Sequence, residues 1–282
     1  MSDIRRVGFV IKPHAPGVED VLRDLTAHLE ARGLSCVLED AAARKIGRSR
    51  GVTREKLPAE ADLVVVLGGD GTLLSVARFA AEAGVPIMGV NMGSLGFLTE
   101  IPISEAGPTL DSLLAGEPGT IGPRRLIEAR YQNKTHLCLN DVVINKGALS
   151  RMIQIGIRID GREIAVLKAD GLIVSTPTGS TAYSLSAGGP IVQPGVPAII
   201  LSPICPHTLT FRPLVITADS TIGLRLLTDG EEVHLTLDGQ RGAHLEKTDE
   251  VLIRISPLEL RLVSSPRRGY FDLVKEKLGW AE

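Results

Sequence analysis

The chain has 282 residues, about two average domains' worth and enough to bury a sizeable core. Its 31 basic and 33 acidic side chains give a net charge of −2 with no long block of either sign, which argues against wrapping nucleic acid or lying on an acidic membrane. A hydrophobic content of 44% with 23% charged residues excludes wholesale disorder, and apolar runs such as Leu63–Leu67 and Val196–Leu201 fall far short of the roughly 18–20 residues that span a bilayer.

The opening stretch has too brief an apolar run for a signal peptide, so a cytoplasmic protein is expected. Arg5–Ile11 reads as a strand. Val18, Val21, Leu22, Leu25 and Leu29 then recur at helical spacing up to Gly33, a C-terminal stop, and Leu34–Leu38 returns as a strand. Cys36, Cys138 and Cys205 are odd in number and far apart, which fits buried thiols better than disulfides or a zinc site. The apolar run Ala61–Leu67 ends in Gly68-Gly69-Asp70-Gly71; Thr72–Ala83 has helical composition, Gly84 stops it, and Val85–Val90 is another strand. Continuous apolar strands separated by helices call for a parallel sheet covered on both faces. The expectation is a doubly wound, Rossmann-like α/β domain over residues 1–120.

After the Gly/Pro-rich segment Ala115–Pro123 the period changes. Ile153, Ile155, Ile157 and Ile159 alternate with other residues, and Asp160-Gly161 is a hairpin dipeptide before Glu163–Leu167. Leu126–Tyr131, Leu137–Ile144, Leu214–Thr217, Leu224–Leu227, His234–Leu237, Val251–Ile255 and Leu258–Val263 are similar short runs. They predict a mostly antiparallel β domain over residues 121–264, with a weakly amphipathic tail, 265–282, returning to the first domain.

Three stretches carry chemistry. Gly68-Gly69-Asp70-Gly71-Thr72 falls where a buried parallel strand hands over to a helix, the edge at which open α/β sheets bind ligands. Glycines there let backbone N–H groups approach a phosphate at a helix N-terminus. Neither the P-loop nor the Gly-x-Gly-x-x-Gly fingerprint is present. Asp70 could accept a proton from a hydroxyl, hold Mg²⁺, or merely cap the helix, and the sequence leaves these open. Asn91-Met92-Gly93-Ser94-Leu95-Gly96-Phe97-Leu98 makes a second Gly-rich corner on the same edge. Asp170–Pro190 packs seven Ser/Thr, four glycines and two prolines into 21 residues, which suits either a nucleoside's hydrogen-bonding groups or a surface loop. The six histidines show no metal-binding spacing, no Gly-x-Ser-x-Gly elbow exists, and Glu231-Glu232 reads as solvated charge.

Gly68-Gly69-Asp70-Gly71, Asn91–Phe97, Leu139-Asn140-Asp141, Asp170-Gly171 and Thr176-Pro177-Thr178-Gly179-Ser180-Thr181-Ala182-Tyr183 resemble, in order and spacing, the motifs of the bacterial NAD kinases. The Gly-Gly-Asp-Gly element is shared with diacylglycerol and sphingosine lipid kinases; the Thr-Pro-Thr-Gly-Ser-Thr-Ala-Tyr run is the specific one. The resemblance implies an enzyme that transfers the terminal phosphoryl of ATP to the 2′-hydroxyl of the adenosine ribose of NAD. It implies Asp70 as the catalytic base and Gly68, Gly69, Gly71, Thr72, Asn91 and Phe97 around the substrates. Asn140 and Asp141 would hold a ribose or the nicotinamide end, Asp170 the nicotinamide side, and Thr181, Ala182, Tyr183, Ser184, Leu185 and Ser186 the adenosine. Arg151, Lys168 and Gln240 resemble further contacts. Mg²⁺ or another divalent cation held mainly through the ATP phosphates, no metal ligands on the protein, and a homodimer or homotetramer are implied as well. Asp141 stands where Glu is expected and Lys168 where Arg is frequent. A lipid kinase is a rival reading, although nine aromatics and no basic amphipathic helix offer little for an acyl chain or membrane. A non-catalytic dinucleotide sensor is another.

Overall fold

A computed structural model describes residues 4–117, 121–229 and 232–280. Residues 118–120 of the Gly/Pro-rich segment, and Glu231, lie outside the described residues. The chain forms two units, Met1–Pro123 with Leu260–Glu282, and Arg124–Glu259.

In the first unit, apolar runs become strands and amphipathic runs become helices: β1 (Arg6–Ile11), α1 (Val18–Glu30), β2 (Ser35–Leu38), α2 (Asp40–Lys45), β3 (Leu63–Gly68), α3 (Asp70–Ala83), β4 (Ile87–Asn91), β5 (Ile101–Pro102) and α4 (Ile103–Ala115). Each strand is parallel to its neighbours in the order β2-β1-β3-β4, with β5 added beside the end of β4. Both faces are covered, so β3 is buried at every residue. Phe9, Leu63 and Leu67 are fully buried, each contributing about 1.5–3 kcal/mol. The helical spacing in α1 places Val18, Leu22, Leu25 and Leu29 against this sheet's core. Two helices escape the sequence patterns. α2 is too short to show a period, and α4 contains Gly107-Pro108, which reads as a breaker but is tolerated because Ala106, Thr109, Leu110 and Leu113 are buried beside it.

The second unit holds β6 (Ile121–Tyr131) except for its first three residues, β7 (Lys134–Cys138), β8 (Asp141–Lys146), β9 (Ile153–Ile159), β10 (Arg162–Ala169), β11 (Gly171–Ser175), α5 (Tyr183–Ser186), β12 (Ala198–Ile204), β13 (Leu214–Thr217), β14 (Ile222–Leu226), β15 (Val233–Leu237), β16 (Arg241–His244) and the first part of β17 (Glu250–Val263). One antiparallel sheet runs β13-β12-β11-β8-β15-β16, and another β10-β9-β14-β17. Their apolar faces meet in one core, where Ile153, Ile155 and Ile157 of β9 join Leu172 and Val174 of β11. Asp160 and Gly161 both take positive φ, 51° and 78°, the two-residue turn whose twist suits a hairpin. The single run expected at Leu137–Ile144 is broken at Leu139-Asn140, because Asp238 captures the N–H groups there. The two runs Val251–Ile255 and Leu258–Val263 are one strand: β17 pairs with β14 at its start and, in the first unit, with β4 at Leu262 and Val263. The chain closes with α6 (Tyr270–Leu278), which buries Leu273 and Val274. Of the cysteines only Cys138 is buried; Cys36 lies on edge strand β2, and Cys205 is exposed in a left-handed turn after β12.

Candidate active site

With strand order 2-1-3-4, the carboxyl ends of β1 and β3 form the point at which an open parallel sheet leaves a crevice. Gly68 ends β3 there, Gly69 caps α3, and Asp70, Gly71 and Thr72 make its first turn. A Cβ on Gly68 would lie 2.6 Å from Thr72 Oγ1, so packing demands that glycine; on Gly69 or Gly71 it would meet nothing within 4 Å. No Cβ crowds the corner at Gly69 or Gly71, and the positive end of the helix dipole lies there. Close by, buried Glu39 accepts the Ile11 N–H at 2.6 Å and two bonds from Arg54, whose third and fourth bonds reach Ser75 Oγ and the Ile11 carbonyl.

Asp70 makes no capping bond to α3. Its carboxylate instead holds the second Gly-rich corner. Oδ2 accepts the Phe97 N–H at 2.9 Å, while Oδ1 accepts the N–H of Leu98 at 3.1 Å and both the N–H and the hydroxyl of Thr99 at 2.9 Å. The Asn91 side chain closes the same loop by accepting from Gly93 N–H at 2.7 Å and donating to the carbonyls of Ser94 and Thr99. Phe97 is half-buried with Lys277 Nζ 5.7 Å from its ring centre, and that ammonium donates to the Leu95 carbonyl at 2.6 Å.

The second unit contains a cavity of about 300 Å³ lined by Asn140, Asp141, Val143, Asn145, Ala182, Tyr183, Thr236, Asp238 and Gly239. Asn140, Asp141, Ala182 and Tyr183 are thus brought together from stretches forty residues apart in the sequence. Asp238 leaves β15 with φ +50° and accepts the N–H of Leu139, Asn140 and Asp141 at 2.8, 2.7 and 3.1 Å. Burial pushes Asp141 up to about 7, and the neighbouring Asp238 charge adds to the shift. Burial also raises Asp238, while its three N–H donors and Arg241 act in the opposite sense.

The first half of the Ser/Thr-rich segment is not a surface loop, since every residue from Gly171 to Ser180 is buried, whereas Tyr183, Ser186, Gly188 and Pro190 are exposed. Its hydroxyls are largely spent within the fold. Thr176 Oγ1 donates to the Leu139 carbonyl at 2.6 Å, Ser180 Oγ to Pro177, Thr181 Oγ1 to Thr178, and Ser184 Oγ pairs with Ser202 Oγ. Gly179 is the close-approach residue, since a Cβ there would sit 2.1 Å from the Asn140 carbonyl oxygen. Asp170 pairs with Lys146 at 3.9 Å, Lys168 and Arg151 are exposed, and Leu185, Ser186 and Gln240 stand outside the cavity lining, as do these three.

Residues 7–118 match the family model for the ATP-NAD kinase N-terminal domain, and residues 139–265 the model for the ATP-NAD kinase C-terminal domain. The chain belongs to the NAD kinase family. The NAD kinase of Geobacter sulfurreducens is 46% identical over 99% of this chain and all of its own length, and that of Solibacter usitatus 42% identical over the whole of both. A yeast NADH kinase solved with NADH superposes with TM-score 0.89 at 26% identity, covering 99% of this chain and 89% of its own. An NAD kinase from Archaeoglobus fulgidus solved with ATP shares the fold, with TM-score 0.76 at 24% identity and 97% of each chain covered. These matches do not favour the lipid-kinase or sensor readings.

Within this NAD kinase family chain, sequence reasoning missed Thr99, Asn145, Thr236 and Asp238 as neighbours of the candidate residues. Asp238 lies in Leu237-Asp238-Gly239-Gln240, a run that itself resembles the family, but nothing local says that its carboxylate reaches back to residue 139. Thr99 follows the second Gly-rich corner with no pattern to single it out.

Proposed function

We propose that the chain transfers the terminal phosphoryl group of ATP to the 2′-hydroxyl of the adenosine ribose of NAD, giving NADP and ADP. The bond from the ribose oxygen to the γ-phosphorus forms as the bond from that phosphorus to the β,γ-bridging oxygen breaks, and ADP departs with the electron pair. The hydroxyl proton goes to Asp70. The observation that carries this reading is the Asp70 carboxylate itself, fixed by four hydrogen bonds at the open glycine corner on the sheet's carboxyl edge. Phosphoryl transfer requires mainly alignment and charge neutralisation, which a glycine cradle and one oriented carboxylate supply.

The cavity beside Asn140, Asp141 and Tyr183 is read as the dinucleotide pocket, where the Asn140 and Asp141 side chains meet hydroxyl or amide groups. Mg²⁺ or another divalent cation accompanies ATP, held through its phosphates, whose charge it neutralises. Among the described residues no group of three or more His, Cys, Asp or Glu is placed to hold a metal, and no helix is long and apolar enough to cross a membrane. A cytoplasmic location and assembly as a homodimer or homotetramer complete the reading, on the strength of the family resemblance. The test is to incubate the purified protein with Mg-ATP and NAD and follow NADP with a dehydrogenase that ignores NAD. NADP formed by the native chain and lowered about 10²–10⁴-fold in Asp70→Asn supports the assignment; full turnover in the variant overturns it.

A further inference from the structure

The four hydrogen bonds at Asp70 are unevenly shared. A carboxylate has about four lone-pair positions, two on each oxygen. Oδ1 accepts three donors, from Leu98 N–H, Thr99 N–H and Thr99 Oγ1, whereas Oδ2 accepts the Phe97 N–H. Oδ1 is therefore saturated and Oδ2 retains a position for a further proton. Resting on the reading of Asp70 as proton acceptor, we infer that Thr99 is its positioning residue: two donors from this one residue lock Oδ1 and leave Oδ2 as the oxygen that receives the ribose proton.

The surroundings of Thr99 are built for this. The residue is fully buried, so its hydroxyl has no water to exchange with. Its carbonyl accepts from Gly96 N–H at 3.3 Å and from Asn91 Nδ2 at 3.3 Å, which fixes the backbone on both sides. Gly96 is what permits the approach: a Cβ there would lie 2.0 Å from Asp70 Oδ1 and 2.5 Å from Thr99 Oγ1. Three of the four donors are backbone N–H groups whose directions the loop sets. The Thr99 hydroxyl is the side-chain donor in the set, and so the one that substitution can remove while the loop backbone stays intact. Its loss leaves the three backbone donors in place but removes the one that pins Oδ1 from the side-chain direction, so the carboxylate tilts more freely about χ2, which degrades alignment in the reacting state more than it weakens binding of either nucleotide.

The experiment compares Thr99→Val, Thr99→Ser, Asp70→Asn and the Thr99→Val/Asp70→Asn double variant by steady-state kinetics with Mg-ATP and NAD, alongside thermal unfolding. A hydrogen bond to a charged group sets the scale, so Thr99→Val should lower kcat about 10- to 100-fold with KM for both nucleotides unchanged. Thr99→Ser, which keeps the donor, should restore most of that loss. In the Asp70→Asn background, where there is no carboxylate to align, Thr99→Val should have no further effect on kcat. Should valine crowd the buried site and unfold the chain, Thr99→Ala carries the same expectation. Native kcat in the valine or alanine variant overturns the inference while leaving Asp70 as base untouched. A loss of equal size in both backgrounds, or one that Ser does not rescue, overturns it by making Thr99 a purely structural residue. Native turnover in Asp70→Asn removes the reading on which it rests.

Discussion

Asp238 accepts the backbone N–H of Asp141 at 3.1 Å while the buried Asp141 carboxyl lines the same cavity, its titration pushed up to about 7. One acid thereby organises the peptide that carries the other. The folded state binds a proton at Asp141 that the unfolded chain, with an ordinary carboxylate near 3.8, has already released. A raised folded-state value means that the favourable contribution is complete below the unfolded value and is lost as pH rises toward 7. The native chain should therefore lose stability between about pH 4 and pH 7, by at most about 4 kcal/mol on the scale of 1.36 kcal/mol per pH unit. Asp141→Asn removes the titration. Urea unfolding of both proteins across this range should show their stabilities converging at pH 4 and the variant ahead at pH 8; parallel curves would show that Asp141 titrates normally.

Gly179 tests how the cavity wall is held. A Cβ at this position would lie 2.1 Å from the Asn140 carbonyl oxygen and 2.5 Å from its carbonyl carbon, both backbone atoms that cannot swing aside. Gly179→Ala must push the 178–181 turn away from Asn140, so overpacking should cost about 1–3 kcal/mol. On the proposed reading KM for NAD rises while KM for ATP does not. An unchanged KM for NAD in a stable Gly179→Ala protein would remove Asn140 from the dinucleotide pocket.

The parts of this fold that are legible in the sequence are those governed by local period. Buried parallel strands show as unbroken apolar runs at Leu63–Leu67, and the half-buried strand at Ile153–Ile159 shows as alternation. What stays hidden is set by contacts distant in sequence. The break between β7 and β8 depends on Asp238, nearly a hundred residues later, and no feature of Leu137–Ile144 announces it. The same holds at the site. The glycines around Asp70 mark a corner, yet the partner of its carboxylate, Thr99, lies 29 residues on in an unpatterned stretch. The hydroxyls of Thr176 and Ser180 were legible as a polar cluster, but their count does not reveal whether they face a ligand or, as here, their own backbone.

Arg54 and Glu39 join three elements beside the glycine corner. Glu39 is 3% exposed and accepts from Ile11 N–H and twice from Arg54, which also holds Ser75 on α3 at 2.8 Å. Arg54→Ala leaves a buried carboxylate without its cation and should destabilise the chain by about 3–5 kcal/mol. The paired replacement Arg54→Met with Glu39→Leu removes both charges and should cost much less. Urea midpoints of the two variants decide this: equal losses would mean that the ion pair serves only as packing volume.

Gly96 gives the sharpest steric test of the Asp70 site. A methyl group at this position overlaps Asp70 Oδ1, at 2.0 Å, and Thr99 Oγ1, at 2.5 Å, so Gly96→Ala cannot keep both the loop and the carboxylate in place. The rest of the loop has its own anchors, in Asn91 and in the contact of Lys277 with Leu95. The fold of the first unit should survive, with a loss of about 1–3 kcal/mol from overpacking, while the four bonds to Asp70 are disrupted. Turnover should fall at least as far as in Thr99→Val, since the methyl group displaces the backbone donors as well as the hydroxyl. Thermal unfolding and kcat measured on the same preparation separate the two effects. A Gly96→Ala protein with native kcat would mean that the carboxylate position observed here is not the one used in the reaction.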